Sequence, residues 1–119
     1  MLNNDFFYIS SVKNDEQNIM AELHLNPEHH IFQGHFPGQP VVPGVCQVQM
    51  VKEILEIVLG KDLRLKSADH IKFLSVIIPE KKALISAAIK YMKDETGLNI
   101  TATLTKDEKA CLKMKATFV

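Results

Sequence analysis

The stretch Val45-Cys46-Gln47-Val48-Gln49-Met50-Val51-Lys52-Glu53-Ile54-Leu55-Glu56-Ile57-Val58-Leu59 has ten apolar residues in fifteen and runs into Gly60. At about 100° per residue, Gln49, Lys52, Glu53 and Glu56 fall within one arc of about 100°. Cys46, Met50, Ile54, Ile57, Val58, Val51, Leu55, Val48 and Leu59 fill the rest. The spacing predicts a helix over 45–59 with a single narrow wettable stripe, stopped by Gly60 in the manner of a glycine C-terminal stop. A helix this apolar has to be largely enclosed.

The rest of the chain reads as the enclosure. Phe6 to Val12 and Ile19 to Leu25 are predicted strands joined through a polar turn at 13–18. The second alternates Ile19, Ala21, Leu23 and Leu25 against Met20, Glu22 and His24. Further strands are expected near 66–78, 82–92, 98–105 and 109–118, separated by Pro79-Glu80-Lys81, Asp94-Glu95-Thr96-Gly97 and Lys106-Asp107-Glu108. Ile100, Ala102 and Leu104 share one face, as do Ala110, Leu112, Met114, Ala116 and Phe118. Short turns favour consecutive antiparallel pairing. The economical architecture is α+β, a curved antiparallel sheet wrapped around one long central helix.

With 119 residues, 46% hydrophobic and 24% charged, the chain suits a single domain over 1–119 and is neither a disordered segment nor a disulfide-stapled miniprotein. No apolar run reaches the roughly 18 to 20 residues of a membrane span. Met1 to Tyr8 lacks the pattern of a signal peptide, so a cytoplasmic protein is expected. Cys46 and Cys111 stand in no metal or redox spacing and are read as reduced. Fourteen Lys+Arg against fourteen Asp+Glu remove the basic excess of a nucleic-acid binder. The balance is uneven, however. Residues 1–60 carry two basic and seven acidic groups, while 61–119 carry twelve basic and seven acidic. Lys61, Arg64, Lys66 and Lys72 are candidates for a landing patch for an acidic partner, against the plainer reading of solvated lysines.

Chemistry concentrates just ahead of the helix, in His29-His30-Ile31-Phe32-Gln33-Gly34-His35-Phe36-Pro37-Gly38-Gln39-Pro40-Val41-Val42-Pro43-Gly44-Val45. Prolines fix φ, and glycines let backbone approach a ligand closely. The helix start after Pro43-Gly44 offers unpaired N–H groups and the positive end of a dipole, which can polarise a carbonyl. His35 suits proton removal from the carbon beside a polarised thioester. On spacing alone, a lone histidine more often serves packing or loop hydrogen bonding. The three histidines have no Cys or acidic residue at a metal-ligand spacing, so no metal and no cofactor are expected.

The run Gly34-His35-Phe36-Pro37-Gly38-Gln39-Pro40-Val41-Val42-Pro43-Gly44-Val45 closely resembles the signature of the hot-dog-fold 3-hydroxyacyl-acyl-carrier-protein dehydratases of fatty acid synthesis and their relatives in aryl-polyene pathways. The resemblance extends to Ile71-Lys72-Phe73-Leu74. It implies a hot-dog fold and a substrate that is an acyl carrier protein or coenzyme A thioester. It further implies a homodimer or trimer of dimers, with two sheets joined edge to edge and acyl tunnels between subunits. His35 would be the base, the Gly44 and Val45 amides would meet the thioester carbonyl, and Phe36 and Pro43 would lie beside the substrate.

One departure bears on the chemistry. In that family a Glu or Asp five residues after the Gly of the Pro-Gly pair, supplied by the other subunit, helps expel the 3-hydroxyl as water, and here that position is Gln49. Losing a general acid costs about 10²- to 10⁴-fold. Three compensations are open. Glu53, one turn on at i+4, takes the role, since the family often has Gln there and the two residue types read as exchanged. A heterodimer with a paralogous hot-dog chain supplies the acid. Or His35 performs both proton transfers while Gln49 holds the hydroxyl or a water. The plain alternative has Gln49 and Glu53 simply wetting the exposed stripe. Dehydration of a 3-hydroxyacyl thioester to the trans-2-enoyl product is the leading reading. A catalytically weak acyl-thioester-binding subunit and a hot-dog thioesterase are the alternatives.

Overall fold

The computed structural model describes residues 2–34, 40–80 and 82–119. In chain order these form β1 (Phe7–Asp15), β2 (Asn18–Leu25), the short α1 (Ile31–Gly34), the central helix α2 (Gly44–Leu59), β3 (Leu65–Phe73), β4 (Ile85–Asp94), β5 (Gly97–Lys106) and β6 (Lys109–Phe118). The strands make one antiparallel sheet in the order β1-β2-β4-β5-β6-β3. α2 lies against its inner face, the α+β hot-dog arrangement.

The tight turns follow from local geometry. Glu16 and Gln17 (φ 49° and 69°), and Asp107 and Glu108 (φ 51° and 64°), take the paired left-handed conformation of two-residue hairpin loops. The inner-face alternation of β2 and β5 is as the sequence predicts, with Ile19, Ala21, Leu23, Leu25, Ile100, Ala102 and Leu104 buried. In β6 a bulge opposite Leu104/Thr105 adds a residue, so Cys111 and Leu112 are both buried and the alternation breaks there.

Consecutive pairing needs one correction. The strand expected at 66–78 ends at Phe73 and pairs with β6 at the far edge of the sheet, not with β4. The cause is the connection 74–84, which is too long for a hairpin. It runs inward to bury Ile77, whose carbonyl accepts from Val42 N–H at 2.8 Å. Every residue of β3 is exposed.

α2 spans sixteen residues and stops at Gly60, whose φ of 67° and ψ of 36° close the helix with its N–H donating to the Glu56 carbonyl at 2.8 Å. A Cβ at Gly60 would meet nothing within 4 Å. Gly60→Ala therefore tests conformation alone and is expected to lower stability by about 1 kcal/mol in chemical denaturation. Among the described residues no helix is long and apolar enough to cross a membrane.

Candidate functional site

The site forms where the loop after α1 meets α2. Pro43 precedes the helix with φ −60° and ψ 146°, and no side chain caps it. The Cys46 and Gln47 amides donate to the Pro43 carbonyl at 3.0 and 3.1 Å. Those of Gly44 and Val45 have no partner among the described residues. A Ser, Thr, Asn or Asp at this position would have taken the Val45 or Cys46 amide internally. Proline leaves the Gly44 and Val45 amides available to an incoming oxygen.

Gly44 is required by close packing. An alanine here would place its Cβ 2.6 Å from Phe73 Cζ, so the ring at the end of β3 lies directly over the helix start. Phe73 is 53% exposed and can swing away. Gly44→Ala should therefore cost under about 1 kcal/mol of stability, and Gly44→Ala with Phe73→Ala should recover part of that loss. Strictly additive melts would remove the contact from the account. Beside this ring an open cleft of about 370 Å³ is lined by Val42, Gly44, Gln47 and residues 73–76.

His35 and Phe36 lie outside the described residues. The chain leading to them is anchored by His29, which is buried. Its Nδ1 accepts from the Ile31 amide at 3.1 Å, which places the ring hydrogen on Nε2, 3.1 Å from Asp5 Oδ2. Phe6 packs edge-on against its ring, and Phe32 packs in turn on Phe6.

Gln49 and Glu53 are brought together. Gln49 is half-buried, and its Nε2 donates to Glu53 Oε2 at 2.8 Å. Glu53 is not on a wettable stripe, which corrects the sequence reading: it is 0% exposed. Its Oε2 also accepts from Leu2 N–H at 2.9 Å and its Oε1 from Asn3 N–H at 2.8 Å. The N-terminal segment folds over this part of the helix and removes the carboxylate from water.

Val45 is 77% exposed, and Pro43 is half-buried at the helix start. Cys46 is buried, and desolvation pushes its thiol above the ordinary cysteine range, the opposite of an activated nucleophile. Lys66 and Lys72 are six positions apart on β3, roughly 20 Å at strand spacing, and Lys66 donates to the Thr96 carbonyl.

The sequence reading passed over Gln47. It is 3% exposed, its Nε2 donates to the Val42 carbonyl at 3.3 Å, and its Oε1 has no partner among the described residues. A signal existed: Gln47 falls roughly 160° around the helix from Gln49, alone among apolar residues.

Comparison with known proteins adds the following. Residues 11–115 match the family model described as ApeI-like, ApeI dehydratase. A 3-hydroxyacyl-acyl-carrier-protein dehydratase FabZ from Oenococcus oeni is 29% identical over 102 residues, covering 80% of this chain and 73% of that one. The fold is similar to the structure of the dehydratase heterocomplex ApeI:P from Xenorhabdus doucetiae, with TM-score 0.75 and 23% identity over 92% of this chain and 95% of that one. It is also similar to a hypothetical thioesterase protein with coenzyme A from Streptococcus pneumoniae, with TM-score 0.68 and 12% identity over 98% and 89% of the two chains.

Proposed function

We propose, because this chain belongs to the ApeI-like family of dehydratases, that it eliminates water from 3-hydroxyacyl thioesters of acyl carrier protein or coenzyme A to give the trans-2-enoyl thioester. The observation that carries the reading is the start of α2, with no side-chain cap and with Gly44 and Val45 amides that have no partner among the described residues, beside an open cleft. A thioester carbonyl oxygen held by these amides gains stabilisation as it becomes enolate-like. His35 is the base that takes the proton from C2, and Phe36 and Pro43 bound the substrate beside it. Gln49 has its Nε2 committed to Glu53, so its Oε1 is the atom offered to the 3-hydroxyl or to a water. Glu53 acts through Gln49 and does not itself deliver a proton. The imidazolium formed on His35 returns its proton to the departing hydroxide. C2–H and C3–O break, the C2–C3 double bond forms, and water leaves.

A second reading is favoured by Gln49 itself, since an amide is no general acid, and by the edge of the sheet. Val45, Ile71, Phe73, Leu74 and Val76 are exposed along or beside β3, an apolar strip of the kind that marks a protein interface. The Xenorhabdus doucetiae relative was solved as a heterocomplex. In this reading β3 joins a second hot-dog chain that contributes a Glu or Asp facing His35, and the present chain alone binds thioesters with weak turnover. A homodimer or trimer of dimers through the same edge serves the first reading.

The test is turnover of 3-hydroxyacyl carrier protein by the purified chain, followed as enoyl product, alone and co-purified with a hot-dog chain bearing the carboxylate. Full activity alone selects the first reading, and activity only in the mixed complex selects the second. Hydrolysis to free acid without enoyl product overturns both.

A further inference from the structure

Gln47 lines the cleft beside the helix start, and its buried side-chain carbonyl has no partner among the described residues. A buried amide oxygen left without a donor costs free energy in the free protein. Gln47 is 3% exposed, and its Nε2 is held on the Val42 carbonyl at 3.3 Å. The site thus asks for a hydrogen-bond donor.

Position tells which donor. Gly44 and Gln47 are i and i+3 on α2, neighbours on one face with side-chain origins about 5–6 Å apart. In the thioester of a carrier protein or of coenzyme A, the first amide nitrogen is separated from the carbonyl carbon by a sulfur and two carbons, a similar span. The cleft is open toward residues 73–76, with Phe73, Leu74 and Val76 at least half exposed. An acyl tail gains by enclosure. The carrier arm, by contrast, has to arrive from solvent.

We infer that Gln47 is a binding residue for the carrier arm, its Oε1 accepting a hydrogen bond from the amide N–H nearest the sulfur while the Gly44 and Val45 amides hold the thioester carbonyl. This rests on the thioester reading above. Gln47 then favours thiols that carry this amide over simple alkyl thiols, and it fixes the sulfur relative to the helix start.

The experiment compares two inert ligands, the hexanoyl thioester of N-acetylcysteamine and its analogue in which the amide N–H is replaced by an ester oxygen. Neither carries a 3-hydroxyl, so binding is measured without reaction. The unmodified protein should bind the amide about fivefold more tightly, the scale of one neutral hydrogen bond. Gln47→Met, with the same reach and no acceptor, should bind both alike. Equal affinities in the unmodified protein, no binding of either ligand, or a preference that survives in Gln47→Met would overturn the inference. If Gln47→Met does not fold, the comparison in the unmodified protein decides by itself. Turnover of a 3-hydroxyacyl thioester is measured separately. Amide preference without turnover leaves the Gln47 site standing and removes the dehydratase reading, and turnover without amide preference does the reverse.

Discussion

Glu53→Ala is expected to lower the stability of the folded chain by about 3–5 kcal/mol, the scale of several buried donors losing their shared acceptor. The carboxylate is wholly buried and accepts from Leu2 N–H, Asn3 N–H and Gln49 Nε2 at 2.9, 2.8 and 2.8 Å. Alanine leaves three donors without an acceptor, at about 1–3 kcal/mol for each that stays buried. The N-terminal segment is the one able to open and recover water, which keeps the total below the full sum. That opening has its own cost, because the Leu2 carbonyl accepts the Asp5, Phe6 and Phe7 amides and Phe6 is completely buried. Glu53→Gln keeps the shape but turns an amide NH₂ toward one of its donors, for an expected loss of about 1–2 kcal/mol. Urea denaturation of the three proteins checks the order. A Glu53→Ala loss below about 1 kcal/mol would mean that the carboxylate is solvated in solution.

That network marks the limit of what the sequence discloses. The helix over 45–59 was legible because its apolar majority and Gly60 are local signals, and the hairpins because polar runs separate the alternating strands, although the first turn, expected at 13–18, narrows to Glu16-Gln17 and β1 runs on to Asp15. The edge position of β3 was not, since pairing with β6 depends on where residues 74–84 travel and no short-range pattern records that. Glu53 shows the same failure at the level of one side chain. Its helical angle places it beside Gln49 and Glu56, but its burial comes from backbone donors about fifty positions away, and backbone donors have no sequence signature. Gln47 was legible in principle, as a polar residue opposite the polar stripe. Gly44 was chosen for its helix-start chemistry, while the ring of Phe73 above it is a tertiary contact.

Gln49→Glu is expected to raise dehydration by the chain alone by about 10²- to 10⁴-fold, the usual worth of a general acid, provided that the missing acid is what limits it. The neighbourhood makes this more than a simple replacement. Gln49 Nε2 lies 2.8 Å from Glu53 Oε2, so a carboxyl at 49 faces a buried carboxyl at hydrogen-bond distance. Each carboxyl disfavours ionisation of the other, so the pair holds one proton to higher pH than a lone carboxyl would. That proton is what the leaving hydroxide needs. The same proton carries a stability cost with a definite sign. A carboxyl whose folded pKa is raised is most favourable when protonated, so the variant should lose stability as pH rises from the ordinary glutamate range through the raised value. Gln49→Glu combined with Glu53→Gln restores the order of the related dehydratases, with Gln at 53 now donating to Glu at 49. It should keep the gain in rate and lose the pH-dependent penalty, while giving up one acceptor for the Leu2 and Asn3 amides. His35→Ala in either background should abolish the gain by about 10²- to 10⁴-fold, and rates are read from enoyl thioester formation. No gain in either variant, with a parent already turning over at an enzyme's ordinary rate, would show that proton delivery never depended on position 49 and that His35 carries both transfers. No gain with an inactive parent that becomes active only beside a carboxylate-bearing chain would place the acid on the partner.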